Sequence, residues 1–356
     1  MVQENLFDIN YFYECEGEAY GVNIPEKICE CGEKIKDHES VSMLYNLKEE
    51  IKIYVDSINK HKLGVFEQDW LITKALLDSL RVCTNIVPFI GAGISVPLGL
   101  VNWSEMIGEL SISCSENVKG GIQFFLGTNR YLECFDEIIS DPQNQLTKDI
   151  ESIKYKISEM FSFEKIDMER DNNYDDILMS DYPLIMTTNY DEVIDKVGEK
   201  YDYKTVIFKN IEDIKSLEKF PSIVHLHGSS SYQDKGSMVV NIDDYKNLYD
   251  DPKCMRRLQS LLGNKSILFM GYSLDDYYFM KQLMEICEAN SGFSDYYAIM
   301  INPNIDILKQ RIPEYYEKIK IISINFDDKC SDINKLIVER IRYYMRYINN
   351  SLYLRR

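Results

Sequence analysis

From Asn85 onward, short apolar runs alternate with stretches of helical spacing, and each run ends in a small or polar turn. Ile86-Val87-Pro88-Phe89-Ile90 ends in Gly91-Ala92-Gly93, and Tyr182–Met186 in Thr187-Thr188-Asn189. Ile223–Leu226 ends in His227-Gly228, and Ile267–Met270 in Gly271. Thr205–Phe208, Tyr297–Ile301 and Ile319–Ile324 are runs of the same kind. Such uninterrupted apolar runs are buried on both faces, which is the habit of parallel strands. Between them, Trp103–Leu110, Tyr131–Ile139, Leu146–Met160 and Ile305–Tyr316 carry helical spacing. Ile333–Leu354 reads as one amphipathic helix with basic residues near its end, which suits the helix dipole. Strands separated by helices specify an α/β fold with a mostly parallel sheet covered on both faces.

The expected organisation is a Rossmann-like domain over 81–328 with a helical insertion at about 103–180. A small accessory region precedes it at 1–80, and a C-terminal helix follows at 329–356. Within the first eighty residues, Val41–Lys60 looks helical. Cys29-Glu30-Cys31-Gly32, with Cys15 and His38 nearby, could be half of a zinc knuckle or free thiols in a small accessory segment. The second cysteine pair is missing, so free thiols are expected and no metal.

Charge and composition narrow the partners. With 40 bases against 58 acids the net charge is −18. That argues against sequence-independent binding to nucleic acid or to an anionic membrane, both of which need clustered Lys and Arg. The uncharged run Cys83–Ser104 is long enough to span a bilayer. It contains Pro88, Pro97, Gly91, Gly93 and Gly99, so a buried strand and a glycine turn explain it better. Met1–Asn5 has no basic start and no apolar run follows, and the nine cysteines are scattered, so a cytoplasmic location is expected.

In a doubly wound sheet, ligands bind at the carboxyl ends of the strands, where four polar turns stand here. Gly91-Ala92-Gly93-Ile94-Ser95 is half of a dinucleotide fingerprint, with Val96 at the place of the third glycine. It could cradle a diphosphate or simply be a tight strand–helix turn. Thr187-Thr188-Asn189-Tyr190-Asp191 offers an amide and a carboxylate to a ligand, or a cap to the next helix. His225-Leu226-His227-Gly228-Ser229 holds two of the chain's four histidines, on one strand face by the alternation rule. His225 is deeper in the strand and reads as packed; His227 at the strand end is either a base or a hydrogen-bonded structural side chain. Gly271-Tyr272-Ser273-Leu274-Asp275-Asp276 combines a glycine turn, a hydroxyl and two acids before a helix, and capping is its plain explanation.

Taken in order, these motifs, with Val96-Pro97-Leu98-Gly99-Leu100 and Trp103, resemble the sirtuin superfamily. More closely they resemble its bacterial branch of NAD-hydrolysing effectors in antiphage defence. The resemblance covers roughly Asn85 to Asp327. It implies that Gly91, Ala92, Gly93 and Ser95 cradle the NAD diphosphate. It implies that Asn189 and Asp191, with Thr188, hold the nicotinamide ribose and carboxamide, and that His227, beside Gly228, is the general base. Gly271 and Ser273 would contact the adenosine half, with Asp275 as a helper. His225 has no catalytic counterpart. Deacylating sirtuins carry two cysteine pairs after the catalytic histidine, and here only Cys254 lies between His227 and Gly271. Their Asp-Phe-Arg loop is replaced by Asn102-Trp103-Ser104-Glu105. The resemblance therefore implies an NAD glycohydrolase, with NAD as substrate, no metal, and release of nicotinamide and ADP-ribose. NAD-dependent protein deacylation or ADP-ribosyl transfer, and a non-catalytic NAD- or ADP-ribose-binding module, are the alternatives. A homo-oligomer and an activating partner of a defence system, such as a HerA-type ATPase or an Argonaute-like protein, are expected companions.

Overall fold

A computed structural model describes residues 63–353, apart from 145–146, 232–233, 290–294, 314 and 326–332. Cys15, Cys29, Cys31, His38 and the helix expected over Val41–Lys60 lie outside the described residues. The chain divides into two compact units, Met1–Leu71 and Ile72–Arg356. Apart from the start of the first helix, everything that follows lies in the second unit.

Seven strands form one parallel sheet: β1 (Ile86–Ile90), β2 (Leu184–Thr187), β3 (Lys204–Ile207), β4 (Ser222–His225), β5 (Ser266–Met270), β6 (Tyr296–Ile301) and β7 (Ile319–Ile324). Their spatial order is β3-β4-β2-β1-β5-β6-β7. The helices are α1 (Leu63–Val82), α2 (Trp103–Leu110), α3 (Glu116–Gly127), α4 (Tyr131–Ser140), α5 (Ile150–Met160), α6 (Tyr174–Leu178), α7 (Val193–Gly198), α8 (Ile242–Tyr249), α9 (Pro252–Leu262), α10 (Tyr277–Ala289), α11 (Ile305–Arg311) and α12 (Ile333–Tyr353). Helices α2 to α6 all fall between β1 and β2. No described helix is long and apolar enough to cross a membrane. The uncharged run Cys83–Ser104 folds as β1, two 3₁₀ turns and the start of α2.

Burial follows position in the sheet. Every residue of central β1 and β5 is buried, whereas edge strand β3 exposes Lys204 and Thr205. Pro88 has no N–H to give a ladder. The β1–β5 ladder runs the full strand, but the β1–β2 ladder begins only at Phe89, past the proline. From β1 the chain builds outward to one side, and from β5 it builds outward to the other. The switch point therefore lies between β1 and β5, which is where an open α/β sheet leaves a crevice. An aromatic stack joins the sheet to this crevice: Phe89 packs on Phe279 at 4.7 Å and on Phe269 at 5.2 Å, and Phe269 stacks on Tyr272 at 5.3 Å.

Helix ends obey local chemistry. Asn102 and Glu105 form a reciprocal capping box on α2. Asp149 caps α5, so this helix starts at Ile150 and not at Leu146. Helix α11 stops at Arg311, short of the expected Tyr316, because Pro313 cannot continue it. Helix α12 is held against α6: Arg342 pairs with Asp176 at 3.0 Å and donates to the Asn172 carbonyl at 3.0 Å, and Asn173 donates to the Val338 carbonyl at 2.8 Å.

Candidate active site

The turns after β1 and β5 interlock. Gly91 N–H donates to the Met270 carbonyl and Gly93 N–H to the Gly271 carbonyl, both at 2.9 Å. A Cβ on Gly91 would lie 2.5 Å from the Gly271 oxygen, and one on Gly271 2.5 Å from the Ile94 nitrogen. Each turn thus needs glycine because the other turn is there. Two short 3₁₀ turns, Ala92–Ile94 and Val96–Leu98, stand where a helix was expected after the first glycines. The N–H groups of Gly91, Gly93, Ile94 and Ser95 are all spent on protein carbonyls.

A cleft of about 630 Å³ opens at this switch point. Of the residues singled out from sequence, Ala92, Gly93, Thr188, His227, Gly271, Ser273 and Asp275 line it. Trp103, Tyr131, Tyr245, Tyr272, Tyr277 and Tyr278 give it aromatic walls. Beside it is a narrow recess of about 20 Å³, room for one water-sized group, lined by Ser95, Asn189 and Asp191. Cleft and recess share Ala92, Asn102, Trp103 and Thr188 as walls. Gly228 lines neither; its φ of +79° and a tight approach to Ser237 make it a turn residue.

The recess is a closed polar network. Ser95 Oγ donates to Asp191 Oδ2 at 2.9 Å and accepts from Asn189 Nδ2 at 3.0 Å. The Tyr174 hydroxyl of α6 lies 2.7 Å from it, completing the bonds one hydroxyl can make. Asp191 also accepts the Val193 N–H at 3.2 Å, and burial raises its carboxyl. One atom is left over: Asn189 Oδ1 is buried with no hydrogen-bond partner. An orphaned buried amide oxygen costs about 1–3 kcal/mol and points to a ligand donor.

The two histidines have opposite environments. Strand β4 ends at His225, so the alternation rule does not reach His227, and the rings meet different helices. His225 Nδ1 faces the Asn189 carbonyl at 3.1 Å and Nε2 faces Asp195 of α7 at 2.9 Å. Both partners only accept, so both ring nitrogens must donate. Burial opposes that charge, but Asp195, the Asn189 carbonyl and Asp191 outweigh it, and the imidazole is raised above its ordinary value. Stability from this pair is full below the unfolded value of about 6.5 and is lost as pH rises through the higher folded value. His225→Gln is therefore expected to cost more unfolding free energy in urea at about pH 6 than at about pH 8.5; equal costs would mean the ring is neutral throughout.

His227 is enclosed by tyrosines. Its Nε2 lies 2.7 Å from the Tyr249 hydroxyl and its Nδ1 3.4 Å from that of Tyr245, one turn apart on α8. Burial pushes the imidazole down to about 3, so it is neutral. Asp276, unassigned from sequence, lies 3.4 Å from His227 Nε2 and lines the cleft. Asp275 lies 2.7 Å from Arg311. Arg130, from the turn before α4, brings a cation to the cleft and pairs with Glu133 at 2.7 Å. The tyrosines and Asp276 were readable only as core and cap; the signal was Tyr245 and Tyr249 at helical spacing beside two consecutive acids.

The chain is similar to several known proteins. Residues 183–324 match the model of the SIR2-like domain, a span that holds Asn189, Asp191, His227 and the Gly271–Asp276 turn but not the Gly91 turn. Defense-associated sirtuin 2 of Bacillus subtilis is 24% identical over 196 residues, covering 54% of this chain and 18% of that protein. NAD(+) hydrolase ThsA of Acinetobacter baumannii (strain 532279) is 24% identical over 200 residues, covering 54% of this chain and 37% of that one. The chain thus matches well under half the length of either relative. A solved structure of Sir2Tm bound to a propionylated peptide aligns at 13% identity with a TM-score of 0.37, over 77% of this chain and 97% of that one. The similarity to the SIR2-like domain is thus confined to residues 183–324 of this chain.

Proposed function

We propose that the protein is an NAD glycohydrolase that releases nicotinamide and ADP-ribose, acting as an NAD-depleting effector in bacterial antiphage defence. One observation carries this reading: the turns after β1, β2, β4 and β5 meet in one aromatic-walled cleft and its adjoining recess at the switch point of the sheet. A cleft of about 630 Å³ is in the range that takes a drug-sized or dinucleotide ligand. Its tyrosine and tryptophan faces suit flat heterocycles. The names of the two defence and hydrolase relatives support the same chemistry.

Nicotinamide in NAD is a cationic leaving group, and breaking its glycosidic bond builds positive charge on the sugar, as in glycoside hydrolysis. The protein has to hold the ring, shield the sugar and place a polar group by the ribose. In this reading Asn189, whose Oδ1 is unpartnered, takes a donor of the nicotinamide ribose or carboxamide. Asp191 and Ser95 hold that amide in place. His227 stands across the shared wall beside the ribose, and Ala92, Gly93, Gly271, Ser273 and Asp275 receive the rest of the dinucleotide. The protein works in the cytoplasm as a homo-oligomer that a defence-system partner activates.

The test is incubation of the purified full chain with NAD, alone and with candidate activators, followed by chromatography. Equal amounts of nicotinamide and ADP-ribose are expected. Binding of NAD with no nicotinamide released would make the chain a sensor, and acyl or ADP-ribosyl groups moved to protein would make it a transferase.

A further inference from the structure

Asp276 is the residue the resemblance leaves without a role. Its Oδ1 accepts the Phe279 N–H at 3.0 Å and so caps α10. Its Oδ2 is buried, has no hydrogen-bond partner and lies 3.4 Å from His227 Nε2. A cap needs one oxygen; the second is left with the imidazole on the cleft wall. Beside it, the Tyr272 hydroxyl is also buried without a well-formed partner. The titratable groups around this carboxyl are His227 from the end of β4, Tyr190 from the turn after β2, Tyr245 and Tyr249 from α8, Tyr272 and Asp275 from the turn after β5, and Tyr278 from α10. Arg311 is paired with Asp275, and Arg130 on the cleft wall is paired with Glu133. Among the described residues no lysine or arginine pairs with Asp276.

We infer that Asp276 is the group in the cleft that accepts the proton of the attacking water, with His227 as a neutral positioning partner. The inference rests on the glycohydrolase reading above. In the step, the bond from C1′ of the ribose to the pyridinium nitrogen breaks, and its electron pair stays on that nitrogen as neutral nicotinamide. The water oxygen bonds to C1′, its proton passes to Asp276 Oδ2, and the carboxylic acid later returns that proton to solvent. ADP-ribose is the other product.

The alternative acceptor is His227, and its surroundings argue against it. Tyrosine hydroxyls stand at both ring nitrogens, and burial holds the imidazole at about 3, too acidic to keep a proton near neutrality. Burial raises Asp276 to about 7, against the opposing pull of the Phe279 N–H, the nearby Tyr272 hydroxyl and the Tyr278 N–H. A base titrating near working pH is the most effective kind.

Asp276→Asn keeps Oδ1 and the helix cap, so the fold is preserved. In the full chain, NAD binding by calorimetry is expected to stay within about threefold, while nicotinamide release falls ~100-fold. The native kcat should rise with pH around neutrality; that limb should vanish in Asp276→Asn, persist in His227→Gln and partly return in Asp276→Glu. Native turnover and an unchanged limb in Asp276→Asn, or a limb lost with His227→Gln instead, would overturn the assignment and leave the glycohydrolase reading intact. A native chain that binds NAD and releases no nicotinamide would overturn both.

Discussion

Gly271→Ala is expected to cost roughly 3–5 kcal/mol of folding free energy, a large part of the ~5–15 kcal/mol that holds a domain together. Two costs combine. Gly271 has φ +63°, where an L side chain loses roughly 1–2 kcal/mol. The added methyl would also sit 2.5 Å from the Ile94 nitrogen, and the obstacle is backbone. Ile94 cannot retreat without breaking its bond to the Gly91 carbonyl, nor can the first turn move without breaking the Gly93–Gly271 bond. Gly108→Ala is the matching control: it lies inside α2 with nothing within 4 Å, so it should stabilise by ~0.5–1 kcal/mol. Urea unfolding measures both. A Gly271→Ala protein within about 1 kcal/mol of native would mean the two turns are not mutually constrained.

Asn189→Ala should separate activity from stability. Nicotinamide release is expected to fall ~10³-fold, the scale of losing one well-placed hydrogen-bonding group in a site of this kind. Stability should change by less than ~1 kcal/mol: the Ser95 bond is lost, but so is the burial cost of an unpaired oxygen, and the two are of similar size. A residue kept in a locally unfavourable state is the mark of function over stability. Unchanged turnover would detach Asn189 from the chemistry. A loss of several kcal/mol in urea would make the residue structural.

Legibility in the sequence followed burial. Strands β1 and β7 and helix α2 stand at their expected bounds, because the unbroken apolar run of β1, the isoleucines of β7 around Lys320 and Ser323, and a capping box are local signals. Helix α3 was missed: it contains Gly120 and Gly121 and buries only Ile122, so no apolar stripe marks it. Helices α8 to α10 were missed although α9 carries Cys254, Leu258, Leu261 and Leu262 at helical spacing, a period that was there to read. At the site, the polar turns at strand ends were readable from residue type. Their partners were not. That Gly91 answers to Gly271, and Ser95 to Asn189 and Tyr174, depends on contacts spanning 79 to 180 positions, which local patterns do not carry. Asp276 was hidden for a different reason: one of its oxygens does the ordinary work of a cap, and only the coordinates reveal where the other is directed.

The clasp of α12 on α6 has a consequence for the order in which the molecule is completed. Tyr174, which supports Ser95, sits on a five-residue helix, too short to be stable by itself. Its neighbours Asn172, Asn173 and Asp176 are tied to Val338 and Arg342. A ribosome adds those two residues 164 and 168 positions after Tyr174. Strands β1 to β6 can therefore pair before α12 is made, but the brace behind Ser95 closes only once that helix has been added.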